Sequence, residues 1–208
     1  AWQDAGLPPV RMAVNLSARQ FRDPSMVQRV ARVLEESRLA PELLELEITE
    51  STVMHDTEAA IATLKLLKGL GVTLSVDDFG TGYSSLSYLK LFPIDVLKVD
   101  RSFVNDATTN PDDAAIVRTI VNMAHSLGLS VIAEGAETAG QAAFLHYVGC
   151  NELQGYYFSR PLPQHEAEQL LREGRRLDVS GFGRERSEPR LLIVDDERVA
   201  LRNLEHVM

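Results

Sequence analysis

Apolar and polar positions along this chain switch repeatedly between two patterns. Short β-type runs fall at residues 10–16, 43–48, 72–77, 96–99, 129–133 and 153–158. Stretches with helical spacing lie between and after them. Over residues 23–34, Met26, Val27, Val30, Val33 and Leu34 share one face, and Asp23-Pro24 offers a cap and a first-turn proline. Over 57–70 the stripe is Ile61, Leu64, Leu67 and Leu70, with Gly71 as the stop. Over 112–127 it is Ile116, Val117, Ile120, Val121 and Ala124. Shorter helices are predicted at 84–91, 139–148 and 163–173.

Strand then helix, six times over, calls for right-handed crossovers and a parallel sheet. An open doubly wound sheet is one solution. A TIM-like (β/α)8 barrel is the other, and it needs two more units than the pattern supplies. Residues 1–6 read as the end of a helix closed by Gly6 and Pro8-Pro9, so the missing units are expected upstream of Ala1.

Side chains two apart share a strand face. Leu46 and Ile48 therefore oppose Glu45 and Glu47, Leu74 and Val76 oppose Ser75 and Asp77, and Leu97 and Val99 oppose Val96 and Lys98. In the first strand Val14 opposes Ala13 and Asn15, and in the fifth Val131 and Ala133 oppose Ile132 and Glu134. With the apolar faces on the helices, Asn15, Glu47, Asp77, Asp78, Lys98, Glu134 and Gln154 converge at the C-terminal strand ends. That is the end at which parallel α/β proteins build their sites. Any one of these residues is as easily a solvated strand end; six strands ending in polar residues in the same phase are harder to obtain by accident.

Composition narrows the chemistry. Hydrophobic content of 45% is that of an ordinary globular chain, and the net charge is −9. An acidic protein of this kind does not suit a nucleic-acid polymer or an anionic membrane. Cys150 is the only cysteine, which excludes an internal disulfide and suits a reducing, cytoplasmic setting. No apolar run reaches membrane-span length and no signal peptide is present, although upstream segments would leave room for an anchor.

Four or five carboxylates in one mouth repel and call for protons or cations. Carboxylate and amide oxygens are hard ligands, suited to Mg²⁺ or Mn²⁺. Two such ions activate water and stabilise a leaving oxygen in phosphoester hydrolysis. Lys98 then either orients the water and stabilises developing charge or makes a buried salt bridge, and the two roles are compatible. A barrel glycosidase using Glu47 and Glu134 is a rival. It leaves Asn15, Asp77-Asp78 and Lys98 without a shared task, and 6% aromatics with one Trp is little for sugar stacking.

The same residues resemble a known family. Asn15-Leu-Ser-Ala-Arg-Gln-Phe21, Glu47-Ile-Thr-Glu50, Asp77-Asp-Phe-Gly-Thr-Gly-Tyr-Ser-Ser-Leu86, Leu97-Lys-Val-Asp100, Glu134-Gly-Ala-Glu137-Thr138 and Gln154-Gly-Tyr-Tyr-Phe158 are similar, in order and spacing, to the motifs of the EAL domain. That family is one of cyclic di-GMP phosphodiesterases on a modified (β/α)8 barrel. The resemblance implies metal-dependent opening of cyclic di-GMP to linear pGpG, with two Mg²⁺ or Mn²⁺ ions per site. It assigns Asn15, Glu47 and Asp77 to one ion and Asp78 to the second. Lys98 and Glu134 would handle the water, with Glu134 as general base; Glu137 and Gln154 would support the site. Glu50 would anchor the glycine loop at 79–85, which in the family couples metal binding to a homodimer.

The Glu-Ala-Leu triplet itself does not occur in the chain. It is expected upstream, so the 208 residues alone should be a weak enzyme or none, and a non-catalytic cyclic di-GMP receptor is the alternative. A pure interaction module is disfavoured by the intact Asp77-Asp78 pair and glycine loop. Two further departures are Ala136 where the family favours Val and Asn151 where Asp is common.

The expected organisation is a partial EAL domain over 1–172, a charged linker rich in Gly, Ser and Pro over 173–189, and a third segment over 190–208. In that segment Leu191-Leu-Ile-Val-Asp-Asp-Glu197 resembles the first strand of a response-regulator receiver domain. Asp195 and Asp196 would then bind Mg²⁺ beside a phospho-acceptor beyond Met208, with a sensor kinase as partner. An acidic element capping the barrel is the other reading.

Overall fold

The computed structural model describes residues 2, 6–82, 86–177, 190, 191, 193 and 194. Six parallel strands make the frame: β1 (Met12–Asn15), β2 (Leu44–Thr49), β3 (Thr73–Phe79), β4 (Val96–Val99), β5 (Ser130–Ala133) and β6 (Glu152–Leu153). Each pairs with its neighbour in chain order. Two short strands extend the sheet, β7 (Arg190–Leu191) beside β6 and β8 (Ile193–Val194) beside β1, both parallel. One residue separates β7 from β8, so the two ends of the sheet come together and the sheet is curled. The architecture is α/β and fits a partial TIM-like barrel rather than an open sheet.

The helices are α1 (Ala18–Phe21), α2 (Met26–Ser37), α3 (Glu50–His55), α4 (Thr57–Gly69), α5 (Leu86–Leu89), α6 (Arg101–Asp106), α7 (Pro111–Ser126), α8 (Ala139–Val148) and α9 (Gln164–Glu173). The alternation read from the sequence is the one realised. Leu46, Ile48, Leu74, Val76, Leu97, Val99, Val131 and Ala133 join Val30, Leu64, Leu67, Val117, Val121 and Leu145 in one core between sheet and helices. Ala13, Val96 and Ile132 face the other way, in a small separate cluster inside the curl. Burying each large aliphatic side chain of the outer core stabilises the fold by about 1.5–3 kcal/mol.

Several local features depart from the periodicity reading. The helix expected from Asp23-Pro24 begins at Met26 instead. Asp23 accepts hydrogen bonds from the Ser25 N–H and hydroxyl, both at 2.8 Å, which closes a turn before the helix starts. Helices α1, α3 and α6 follow β1, β2 and β4 directly and were not predicted; at four to six residues they are too short to show a helical period. A capping box between Ser17 and Gln20 holds α1. The sixth strand stops at Leu153 rather than Phe158.

Gly155 explains that stop. A Cβ there would lie 2.2 Å from the carbonyl oxygen and 2.4 Å from the nitrogen of Ala136. The chain after β6 is pressed against the loop after β5, and Gln154 is tied into it by Gln154 N–H to Ala133 O at 2.9 Å and Ala136 N–H to Gln154 O at 3.1 Å.

Helix α9 ends at Gly174, which adopts a left-handed conformation, where the charged linker was expected to begin. Residues 178–189 of that linker, and Asp195 and Asp196, lie outside the described residues. Among the described residues no helix is long and apolar enough to cross a membrane.

Gly155→Ala should destabilise the protein by about 3 kcal/mol or more, because the clash is with backbone that cannot yield cheaply. Urea unfolding measures it; an unchanged midpoint would mean that this approach is not as close as described.

Candidate active site

Lys98 is the centre of the site. It projects from β4 into the curl and is 1% exposed. Its ammonium lies 2.6 Å from Glu134 Oε1, 2.7 Å from Glu47 Oε1 and 3.4 Å from Asp77 Oδ1. Burial lowers the Lys98 pKa, but the three carboxylates outweigh it and hold the group above its ordinary value. Lys98 is therefore a fixed cation.

The acids come from three strands. Glu47 is carried by β2 on the face opposite Leu46 and Ile48 and is 1% exposed. Burial pushes its carboxyl up to about 7, with Lys98 opposing and Asp77 and Glu45 adding to the rise. Neither Glu47 oxygen has a well-directed hydrogen bond among the described residues, so its compensation is the ion pair alone. Glu134, just past β5, is raised by burial first, with Lys98 again opposing.

Asp77 and Asp78 are consecutive, so in a regular strand they would face opposite ways. The β3–β4 register shifts between Val76 and Phe79, and Asp78 sits at φ 55° in the left-handed region. This bulge turns both carboxylates to the same side. Oxygens of Asp77, Asp78 and Glu134 all lie within 4.8 Å of one another. Asp77 Oδ1 accepts the Asp78 N–H at 2.9 Å, which fixes the bend. The Asp78 carboxyl is raised by burial, then by Asp77 and Asp100.

Four carboxylates thus face one lysine, and two of the buried oxygens lack a directed donor. The donor set fits a divalent cation bound by oxygen ligands. It does not resemble a closed ion-pair network, which would balance its charges.

Other predicted residues take outer positions. Asn15 pairs with Glu47 in the β1–β2 register but is exposed at the rim. Gln154 directs a buried Oε1 with no hydrogen-bond partner among the described residues. The Glu137 side chain is exposed; its backbone N–H donates to Gln141 Oε1 at 2.8 Å. Glu50, 2% exposed at the start of α3, accepts the Gly80 N–H at 2.9 Å. A Cβ on Gly82 would come within 2.6 Å of Glu50 Oε1, so the glycine loop lies against that carboxylate.

Two features were missed by the sequence reading. Asp100 caps α6 through the Ser102 N–H and hydroxyl, and its carboxylate stands beside Asp78. It is two residues past Lys98 on the same strand phase, which was the available signal. Deeper in the curl, Arg11 contacts Glu45 at 2.9 Å and Glu152 at 2.8 Å. Glu45 is fully buried two residues before Glu47 on the same face, and burial raises its carboxyl despite Arg11.

A family model described as "EAL domain" matches residues 1–161. The bifunctional diguanylate cyclase/cyclic di-GMP phosphodiesterase MucR of Pseudomonas aeruginosa is 49% identical over 170 residues, covering 82% of this chain and 24% of that protein. The solved PaMucR phosphodiesterase in complex with c-di-GMP has a TM-score of 0.77 at 47% identity, covering 80% of this chain and 67% of the other. A manganese/cy-diGMP complex of Klebsiella pneumoniae BlrP1 has a TM-score of 0.70 at 34% identity, covering 76% and 41%. The chain spans a fifth to a quarter of the length of such curated relatives.

Glu47 gives the metal-free protein a pH dependence. Its carboxyl rises from the usual 4.5 to about 7 on folding, so the native state holds the proton more tightly than the unfolded chain. The metal-free fold should lose about 3 kcal/mol of stability through this group as pH climbs from about 4 to about 8. Urea unfolding across that range should show a loss smaller by about that amount in Glu47→Gln than in the unaltered protein, the remainder coming from Glu45, Asp78 and Glu134, which burial also raises; parallel curves would contradict the buried-carboxylate assignment. Lys98→Met should cost the metal-free protein about 3–5 kcal/mol, with saturating Mn²⁺ restoring part of it. Thermal unfolding with and without the ion measures both; an Mn²⁺-insensitive midpoint in both proteins would speak against a metal site.

Proposed function

Since this chain belongs to the EAL domain family, we propose that it hydrolyses cyclic di-GMP to linear pGpG at the cluster around Lys98, using two Mg²⁺ or Mn²⁺ ions. The observation that carries the reading is the gathering of Asp77, Asp78 and Glu134 oxygens within 4.8 Å beside an under-compensated Glu47. Asn15, Glu47 and Asp77 are the ligands of one ion and Asp78 of the other. Divalent cations held there would neutralise the acids and supply Lewis-acid activation of water and phosphate.

The chain's own residues supply the rest. Glu134 accepts a proton from the attacking water, and its raised pKa makes it a better base near neutrality. Lys98, 2.6 Å away, orients Glu134 and offsets the charge that builds on the phosphate. The water oxygen bonds to phosphorus, the bond to the ribose 3′ oxygen breaks, and that oxygen takes up a proton from solvent. Gln154 and Glu137 support the site and substrate, and Glu50 holds the glycine loop, through which the homodimer forms.

A cytoplasmic setting is consistent with the single, buried Cys150. The run from Leu191 to Glu197 carries the receiver reading by its residue pattern alone, with a sensor kinase as the implied input.

A non-catalytic cyclic di-GMP receptor is the alternative. The deciding experiment follows pGpG by chromatography, using the chain alone and the chain joined to a relative's upstream strands. With Mn²⁺ the joined protein should form pGpG, EDTA should stop it, and Asp77→Asn should lower the rate at least about a hundredfold. Tight binding of cyclic di-GMP with no product in either form would leave the receptor reading standing.

A further inference from the structure

The loop that carries Glu134 is held from three directions. Glu134 N–H donates to Val99 O, at the end of β4, at 3.1 Å. Ala136 N–H donates to Gln154 O, just beyond β6, at 3.1 Å. The third hold is a side chain, Gln141, in the first turn of α8 and 6% exposed. Its Oε1 accepts the N–H groups of Glu137 at 2.8 Å and Thr138 at 2.9 Å. Its Nε2 donates to the carbonyl of Asn105 at 2.9 Å.

Part of this is a helix cap. Thr138 and Gln141 make a capping box, in which Thr138 Oγ1 also accepts the Gln141 N–H at 3.2 Å. A glutamate serves that motif as well as a glutamine, although it has no amide N–H to donate. The bonds to Glu137 and Asn105 are therefore surplus to capping. Asn105 lies in the last turn of α6, where carbonyls have no partner within the helix. Helix α6 is capped in turn by Asp100, two residues past Lys98.

We propose that Gln141 is a positioning residue: its amide bridges the loop carrying Glu134 to α6, the helix that starts just after Lys98, and so holds the Glu134 carboxylate against the Lys98 ammonium. Gly135 shows how closely the two elements lie. It adopts φ 72°, and a Cβ on it would come within 2.6 Å of Arg101 Cβ, at the first residue of α6. A loop that moves off α6 carries Glu134 with it. The Val99 and Gln154 bonds still tie that loop to its neighbouring strands, so losing the bridge should tilt it rather than release it. Glu47, Asp77 and Asp78 are carried by β2 and β3, outside the bridged elements. Loss of the bridge should therefore spoil the placement of Glu134 and spare the other acids. The consequence for turnover rests on the proposed function; the bridge does not.

The test centres on Gln141→Glu, which keeps the capping acceptor and sets a carboxylate against the Asn105 carbonyl. A residue that only caps α8 would tolerate this change. The first readout needs no turnover. In crystals of the whole 208-residue Gln141→Glu protein, Glu134 should stand at least about 3.5 Å from the Lys98 ammonium instead of 2.6 Å, with Glu47 still in contact. Calorimetry should give an Mn²⁺ dissociation constant within about twofold of the unaltered protein's. The second readout is pGpG formation by the chain joined to a relative's upstream strands. There Gln141→Glu should lower kcat about tenfold with KM within about twofold, and Gln141→Met, which loses both sides of the bridge, should lower kcat at least as far. A Lys98–Glu134 contact unchanged in Gln141→Glu would overturn the proposal whatever the turnover. An unchanged kcat, or kcat and Mn²⁺ affinity falling together, would overturn it equally, the first by leaving a helix cap alone and the second by showing general loosening. A lengthened contact when even the unaltered joined protein makes no pGpG would sink the phosphodiesterase reading and leave the bridge standing.

Discussion

A single buried ammonium holds this structure's interior in its present form. Lys98 sits among Glu47, Asp77 and Glu134, each from a different strand, and no other cation comes close to them among the described residues. Removing one partner of such an arrangement is far more costly than the arrangement is worth, because the remaining charges stay buried. One lysine cannot balance these acids together with Asp78. The outcome is a site whose fold tolerates excess negative charge as protons on Glu47 or as bound cations. The carboxyl at about 7 on Glu47 and its undirected oxygens follow from the same imbalance. Stability and ligand binding are thus two readings of one electrostatic problem.

The shape that makes this possible has two local sources. The bulge at Asp78 spends backbone strain, on the order of 1 kcal/mol for a non-glycine residue in the left-handed region, to aim neighbouring carboxylates at one point. Aspartate tolerates that region better than most residues. The tight approach of Gly155 to Ala136 bends the chain after β6, so that Gln154 returns towards the mouth. A third contribution comes from the lower layer, where Arg11 compensates Glu45 and Glu152 and keeps a second buried acid, Glu45, from adding its full charge to Glu47.

Much of this was legible in the sequence because period-two alternation is a strong signal in strands with one face on helices. Leu46, Leu74, Leu97 and Val131 fell in the outer core, and Glu47 and Lys98 in the interior, as the alternation requires. What was hidden depends on departures from regular backbone. Nothing in a residue list states that Asp77 and Asp78 point the same way, since that follows from a register shift. The helices after β1, β2 and β4 are shorter than the window in which a helical period can be seen. Asp100 and Glu45 were within reach, each lying two residues from an identified site residue on the same strand face, and were passed over in favour of the strand ends. The pairing of Ile193 and Val194 with Met12 and Ala13 joins opposite ends of the chain, beyond any local pattern.

The central claim is that the carboxylates around Lys98 bind divalent cations. A crystal structure of the protein soaked in Mn²⁺, with an anomalous difference map, tests it most directly. The account predicts anomalous peaks at about 2.0–2.6 Å from oxygens of Asp77, Asp78 and Glu47, with Lys98 still against Glu134. An interior without any such peak at saturating Mn²⁺, or peaks confined to surface carboxylates, would contradict it.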